Sequence, residues 1–319
     1  MIKGSKKHKK LIKINFTSII SLIVLFLMIC LITSPLKYIN TATDGIMLWV
    51  NNLLPSLFPF FVLTKILMDL NFFEKFSVKL TPFINKLFGV NGSASYIFLI
   101  SILGGYPLGS KLVLDAYKAG KINQIEAYRL CTFTSVSGPL FIIGTVGTSM
   151  LFNPLYGYII IISHVAGAVI NGITYKKFLP KNYCNIQDVR LLNKKPPDNI
   201  LTSAITTSIE NILCIGGLVC IFYVGMQAFS SLIPMHAIIQ GIIEITNGCY
   251  QISLQPYSDI LKTMLCCALI TFGGLCTHAQ AMFFLKQCNI SYSFFIKQKL
   301  THTIFSTIIC VFLCLLLKI

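Results

Sequence analysis

Gly104-Gly105-Tyr106-Pro107-Leu108-Gly109-Ser110-Lys111 and Gly273-Gly274-Leu275-Cys276-Thr277-His278-Ala279-Gln280 are two polar interruptions of apolar sequence, each opening on a Gly-Gly pair. Each follows an apolar run, residues 96–103 or 264–272, and precedes another, residues 112–117 or 281–285. That second run meets a residue tolerant of left-handed backbone, Gly120 or Asn289. The shared register predicts one hairpin-sized unit used twice. At membrane depth, non-helical backbone is tolerated only where protein or a water-filled cavity surrounds it, so paired interruptions in two halves point to a substrate path.

Composition places the chain in the bilayer. Of 319 residues, 55% are hydrophobic and only 11% charged, with a mean hydropathy of +0.77, against roughly 25% charged in soluble domains. Residues 14–33 are long enough, at roughly 1.5 Å per residue, to cross a core of about 30 Å. The preceding Lys3, Lys6, Lys7, Lys9, Lys10 and Lys13 predict a cytoplasmic N-terminus. Ile32-Thr33-Ser34-Pro35 is a poor cleavage site, so the segment reads as an uncleaved first helix rather than a signal peptide. Further spans are expected at 46–67, 155–174, 205–233 and 303–317, with shorter, polar-punctuated stretches at 136–151 and 235–247. The expected organisation is a first half over 41–175, a basic linker over 176–199 containing Pro196-Pro197, and a second half over 200–319. Residues 72–88 read as an amphipathic stretch lying in an interface.

The net charge of +16 is spread over the N-terminus, the linker and short loops, with no basic domain to carry nucleic-acid binding. Orientation and contact with anionic lipid headgroups account for it. The twelve cysteines are scattered through apolar segments in no zinc-like spacing and read as small packing residues. Phosphate-binding loop, HExxH and nucleophile-elbow motifs are absent from the sequence. The reading therefore assigns no metal, no cofactor and no enzymatic activity.

Ionisable and amide groups within or near the spans are the functional candidates. Lys111 either holds an anionic substrate or neutralises Asp115, four positions on. Arg129 lies three residues from Glu126 and either pairs with it or serves in coupling. His278 and Gln280 stand where the first interruption has Gly109 and Lys111, an asymmetry suited to one asymmetric ligand; His278 is otherwise a packing residue, as His164 is expected to be. Glu210, Glu244 and Asn247 are candidates for coupling or gating, and Glu244-Ile245-Thr246-Asn247-Gly248 is compact enough to break a helix. Glu244 and Asn247 serve equally well as hydrogen bonds that pin two helices. Where a broken helix restarts, its unpaired N–H groups and positive dipole end favour an anion, and glycine allows close approach. Gly104, Gly105, Tyr106, Gly109, Gly273 and Gly274 are the binding candidates on that argument. Ser137-Gly138-Pro139 marks a third restart.

Taken in order, GGYPLGSK (104–111), SGPLFIIGTVG (137–147), EITNG (244–248) and FGGLCTHAQ (272–280) resemble the YlbJ (SpoVV) family of sporulation integral membrane proteins over nearly the whole chain after the first helix. Cys276 stands where serine is expected in that family. The first half also resembles the Gate, or nucleoside-recognition, domain. The resemblance implies a role in endospore formation, in the outer forespore membrane, passing dipicolinic acid from mother cell toward forespore, alongside other sporulation membrane proteins. The expected fold is an all-α polytopic membrane protein with an internal repeat and re-entrant or broken-helix hairpins. The expected function is transport of a small organic anion. The alternatives are a nucleoside or other metabolite carrier and a non-transporting scaffold for spore envelope assembly.

Overall fold

A computed structural model of the chain describes residues 16–90, 93–178, 198–230 and 236–317. The N-terminal lysines, Met235 and the linker residues Lys181, Arg190, Lys194, Lys195, Pro196 and Pro197 lie outside the described residues. Among the described residues every regular element is helical.

Helix α1 (Phe16–Thr33) ends at Ser34, and Pro35 opens α2 (Pro35–Leu48). Proline cannot donate the amide that would continue α1 but suits a first turn, and the two axes meet at 111°. A π-helical turn, Trp49–Leu53, carries α2 into α3 (Leu54–Asp69), so the expected 46–67 span forms as two helices joined through that turn. Left-handed Asn71 starts the amphipathic α4 (Phe72–Phe88), and left-handed Gly89 ends it. Then come α5 (Ser93–Gly104), α6 (Leu108–Lys118) and α7 (Gln124–Thr134). Asn123 and Glu126 form a capping box at the start of α7. Residues 135–140 are largely unwound, Phe141–Met150 is π-helical, and α8 (Pro154–Phe178) follows. The second half contains α9 (Ile200–Ser230), α10 (Ala237–Ile243), α11 (Ile245–Ser253), α12 (Asp259–Phe272), α13 (Gly274–Leu285) and α14 (Tyr292–Leu316).

Among the described residues, four continuous helical segments are long and apolar enough to cross a membrane: Pro154–Phe178, Ile200–Ser230, Asp259–Cys288 and Tyr292–Leu316. The third corrects the expectation of two equivalent hairpins. At the first interruption α6 doubles back on α5: Leu108 N–H bonds to the Gly105 carbonyl at 3.0 Å, and Gly109 packs against Ser101. At the second, left-handed Gly273 still donates its N–H to Leu269 at 2.8 Å, and α13 continues along the path of α12. A Gly-Gly pair marks where regular geometry lapses; the contacts beyond it set the direction of the chain.

The hairpin of the second half is instead formed by α10 and α11, so the stretch 235–247, expected as a short span, turns back at its end and continues to Ser253. Extended Glu244 joins α10 to α11, and Gly248 packs directly on Gly241 across the bend. Both halves thus run hairpin, broken helix, long helix: α5/α6, α7 with Phe141–Met150, then α8; and α10/α11, α12/α13, then α14. The long helices α8 and α14 pack along one another, and α3 packs along α9. Helix α14 begins eleven residues before the expected 303, because Ser291 caps it by accepting from Phe294 N–H at 3.3 Å.

Candidate substrate-binding site

Each hairpin tip rests on a helix break. In the first half Gly105, at φ 68°, lies against the unwound chain after α7: a Cβ there would fall 2.5 Å from the Gly138 nitrogen. In the second half a Cβ on Gly274 would meet the carbonyls of Gly241 and Ile243 at 3.2 Å. Next to it, a Cβ on Gly273 would lie 3.4 Å from the Tyr106 hydroxyl. The second break therefore touches both tips, and backbone packs on backbone with no room for side chains.

The tips and breaks line a cavity of about 90 Å³. Its polar wall comprises Tyr106 from the first tip, Ser137 from the first break, Glu244 and Thr246 from the second tip, and Thr277 and Gln280 from α13. Phe60 and Phe61 of α3, Phe141 and Leu218 of α9 supply apolar surface. Gly104, Tyr106 and Gln280 also line an adjoining chamber of about 270 Å³ between α3, α6 and α9, which adds Lys65, Lys111 and Asn211. The two chambers adjoin, the smaller at the meeting of tips and breaks and the larger leading off between helices, and both are mostly apolar with a few polar groups, as small-molecule sites are.

Buried polar groups hold the walls. The Glu244 carboxylate accepts from the N–H groups of Thr246 and Asn247 at 2.9 and 2.8 Å, capping α11 while facing the cavity. Behind Tyr106, the wholly buried Lys299 of α14 donates to the Tyr106 hydroxyl at 2.5 Å and to the Ser135 carbonyl, at the C-terminal end of α7, at 3.0 Å. The same nitrogen sits 4.9 Å from the centre of the Tyr106 ring. Ser137 N–H donates to His164 Nε2 at 2.9 Å, which fixes the tautomer so that Nδ1 donates to Thr271 Oγ1, also at 2.9 Å. His302 Nε2 donates to the His164 carbonyl. The two broken helices are thus stitched to α8 and α14 through polar contacts that leave Ser137 facing the cavity.

The predicted candidates divide accordingly. Gly104, Gly105, Tyr106, Gln280 and Glu244 line the cavity, while Gly273 and Gly274 seat the tips around it. Lys111 faces the outer chamber and forms no ion pair with Asp115; the ion pair present among the described residues joins Lys65 and Asp69. Gly109 is a packing residue, since a Cβ there would strike the Thr134 carbonyl. His278 lines neither chamber. It donates to the Phe272 carbonyl at 2.7 Å and approaches the Tyr292 hydroxyl at 3.4 Å, tying α12 and α13 to α14. Arg129 binds the Gly89 carbonyl at the end of α4, and Asn247 donates to Gln240 at 2.8 Å, pinning α11 to α10. Glu210 is exposed on α9 and lines neither chamber. Sequence reasoning missed Lys299, Ser137, Thr246 and Thr277. Lys299 was legible only as a lysine in the segment before the last expected span; the cap signal at Ser291 would have drawn it into the helix.

The family model described as Gate, nucleoside recognition, matches residues 50–155, a stretch holding the first tip and the first break. The sporulation integral membrane protein YlbJ of Bacillus subtilis (strain 168) is 26% identical over 335 aligned residues, covering 93% of this chain and 82% of that protein. The likeness named from the four motifs is therefore to the kind of protein that matches along 93% of the chain. Among solved structures, a CNTnw variant in its intermediate 1 state matches with a TM-score of 0.52 at 14% identity, covering 82% of this chain and 76% of the other. That match shows the fold.

Proposed function

From the likeness to a sporulation integral membrane protein, we propose that this chain carries a small organic anion across a membrane during spore formation, and that the cargo is dipicolinic acid moving from mother cell toward forespore. The N-terminus is cytoplasmic and the site of action the outer forespore membrane. The observation that carries the reading is the convergence of both hairpin tips and both helix breaks on one cavity. A planar aromatic acid suits its walls. Phe60, Phe61 and Phe141 offer flat apolar surface, and helix starts beside the cavity favour a carboxylate there. Tip 1 rests on glycine against glycine, so it can slide off its seat without unpacking side chains, opening the cavity toward the chamber that holds Lys111.

A second reading is favoured by Glu244. A carboxylate faces the cavity while, among the described residues, no lysine or arginine lines it, which suits an uncharged ring bearing hydroxyls that donate to Glu244, such as a nucleoside. Uptake of labelled dipicolinate and of uridine into proteoliposomes separates the two. Saturable dipicolinate uptake that uridine leaves unchanged supports the first; uridine uptake abolished by Glu244→Gln supports the second. Absence of both, together with normal dipicolinate distribution in sporulating cells lacking the protein, moves the chain to the scaffold class.

A further inference from the structure

Lys299 is a buried amino group whose place the cavity lining alone does not explain. It is wholly enclosed in the middle of the molecule. Among the described residues no carboxylate pairs with it; its acceptors are a hydroxyl and a carbonyl. A charge in such a place is costly unless something balances it. The C-terminal end of α7 supplies only the partial negative charge of a helix dipole. The Tyr106 ring adds a cation–π contact. Both acceptors belong to the first half of the site: Tyr106 stands in the first tip and in the cavity wall, and Ser135 opens the first break.

On the opposite side of the cavity stands Glu244, whose carboxylate already has two N–H donors from the start of α11. The two charges lie in different tips' surroundings, positive behind tip 1 and negative at tip 2. A ligand between them meets a field that orients it. Its acid group turns toward Tyr106 and Ser137, and its least anionic edge toward Glu244.

We propose that Lys299 is the specificity-determining and positioning residue of this site: acting through Tyr106, it supplies the positive charge that makes the tip 1 side of the cavity selective for an anionic group, and it holds the tip on its break until that group arrives. The inference rests on the anion reading above, and its test is independent of any cargo. Cys276 is a native thiol in the cavity wall, 5% exposed. Its modification by methanethiosulfonates of opposite charge, one bearing a sulfonate and one a trimethylammonium, reads the sign of the local potential. The rates are followed by mass spectrometry of the Cys276 peptide in the full-length protein and normalised to the same reagents on the unfolded chain.

Cys276 lies two residues from Gly274, which packs on tip 2, so Glu244 also acts on it and the change between variants is the readout. The ratio of sulfonate to trimethylammonium rates is expected to fall severalfold in Lys299→Met and to rise in Glu244→Gln. Disrupted packing alone would raise both rates together and leave their ratio unmoved. Lys299→Gln, which keeps a donor for Tyr106 and the Ser135 carbonyl, makes the same comparison if Lys299→Met fails to accumulate. A ratio unchanged from the native protein in either variant overturns the proposal. Failure of dipicolinate uptake with the Lys299-dependent ratio intact would reject the cargo and leave the assignment of Lys299 standing.

Discussion

At the scale of single residues, two left-handed glycines separate backbone demand from packing demand. Gly105 and Gly120 have φ of 68° and 66°, but a Cβ on Gly105 meets the Gly138 nitrogen at 2.5 Å, whereas one on Gly120 meets nothing within 4 Å. Gly120→Ala should cost about 1 kcal/mol, the penalty of the backbone alone. Gly105→Ala adds a clash with backbone and should cost about 3 kcal/mol or prevent accumulation. Thermal unfolding in detergent compares them. Lys111 and His278 part in the same way. Lys111 is exposed in the outer chamber, so Lys111→Ala should lower anion uptake severalfold, with a loss that shrinks as salt rises. His278→Ala should leave uptake per folded molecule unchanged but lower stability by about 1–3 kcal/mol, because the buried Phe272 carbonyl loses its donor. Equal loss of transport in both variants under matched folding would contradict this division.

At the scale of elements, the hairpins and the broken helices make different predictions for the two interruptions that look alike in sequence. Cysteines placed through residues 103–111 should be reached by an impermeant thiol reagent from one side of the membrane only, since α5 and α6 turn back on each other. Cysteines at successive turns of α12 and α13 should pass from one side to the other, because that helix continues through its break. Same-side labelling along both would restore the picture of two equivalent hairpins. The second tip has its own dependence: Glu244→Ala removes the acceptor for two N–H groups at the start of α11 and should destabilise by about 1–2 kcal/mol.

At the scale of the whole molecule, the site exists only because elements distant in sequence close around it. Lys299 reaches Tyr106 from 193 positions away, and Cys276 faces the same cavity as Ser137 and Phe61. Occupancy by a cargo should therefore shield Cys276: at ten times the dissociation constant, dipicolinate should slow its alkylation about tenfold. Cys214, on the outer chamber, should be shielded far less. Unchanged alkylation of Cys276 at saturating dipicolinate would exclude that cargo from the cavity.

Membrane residence, the all-helical class, the amphipathic α4 and the glycine-marked interruptions were all legible in the sequence, because apolar length and glycine placement are local properties of the chain. So was Glu244 as a helix break, and Tyr106, singled out in the first interruption, stands in the cavity wall. The direction of the chain after each Gly-Gly pair was decided by the tertiary structure, since Gly273 has the freedom to turn and is held straight by the helices it joins. The same holds for Lys299: its distance from the cavity wall depends on the packing of α14 against α8 and α12, which no spacing within its own segment records.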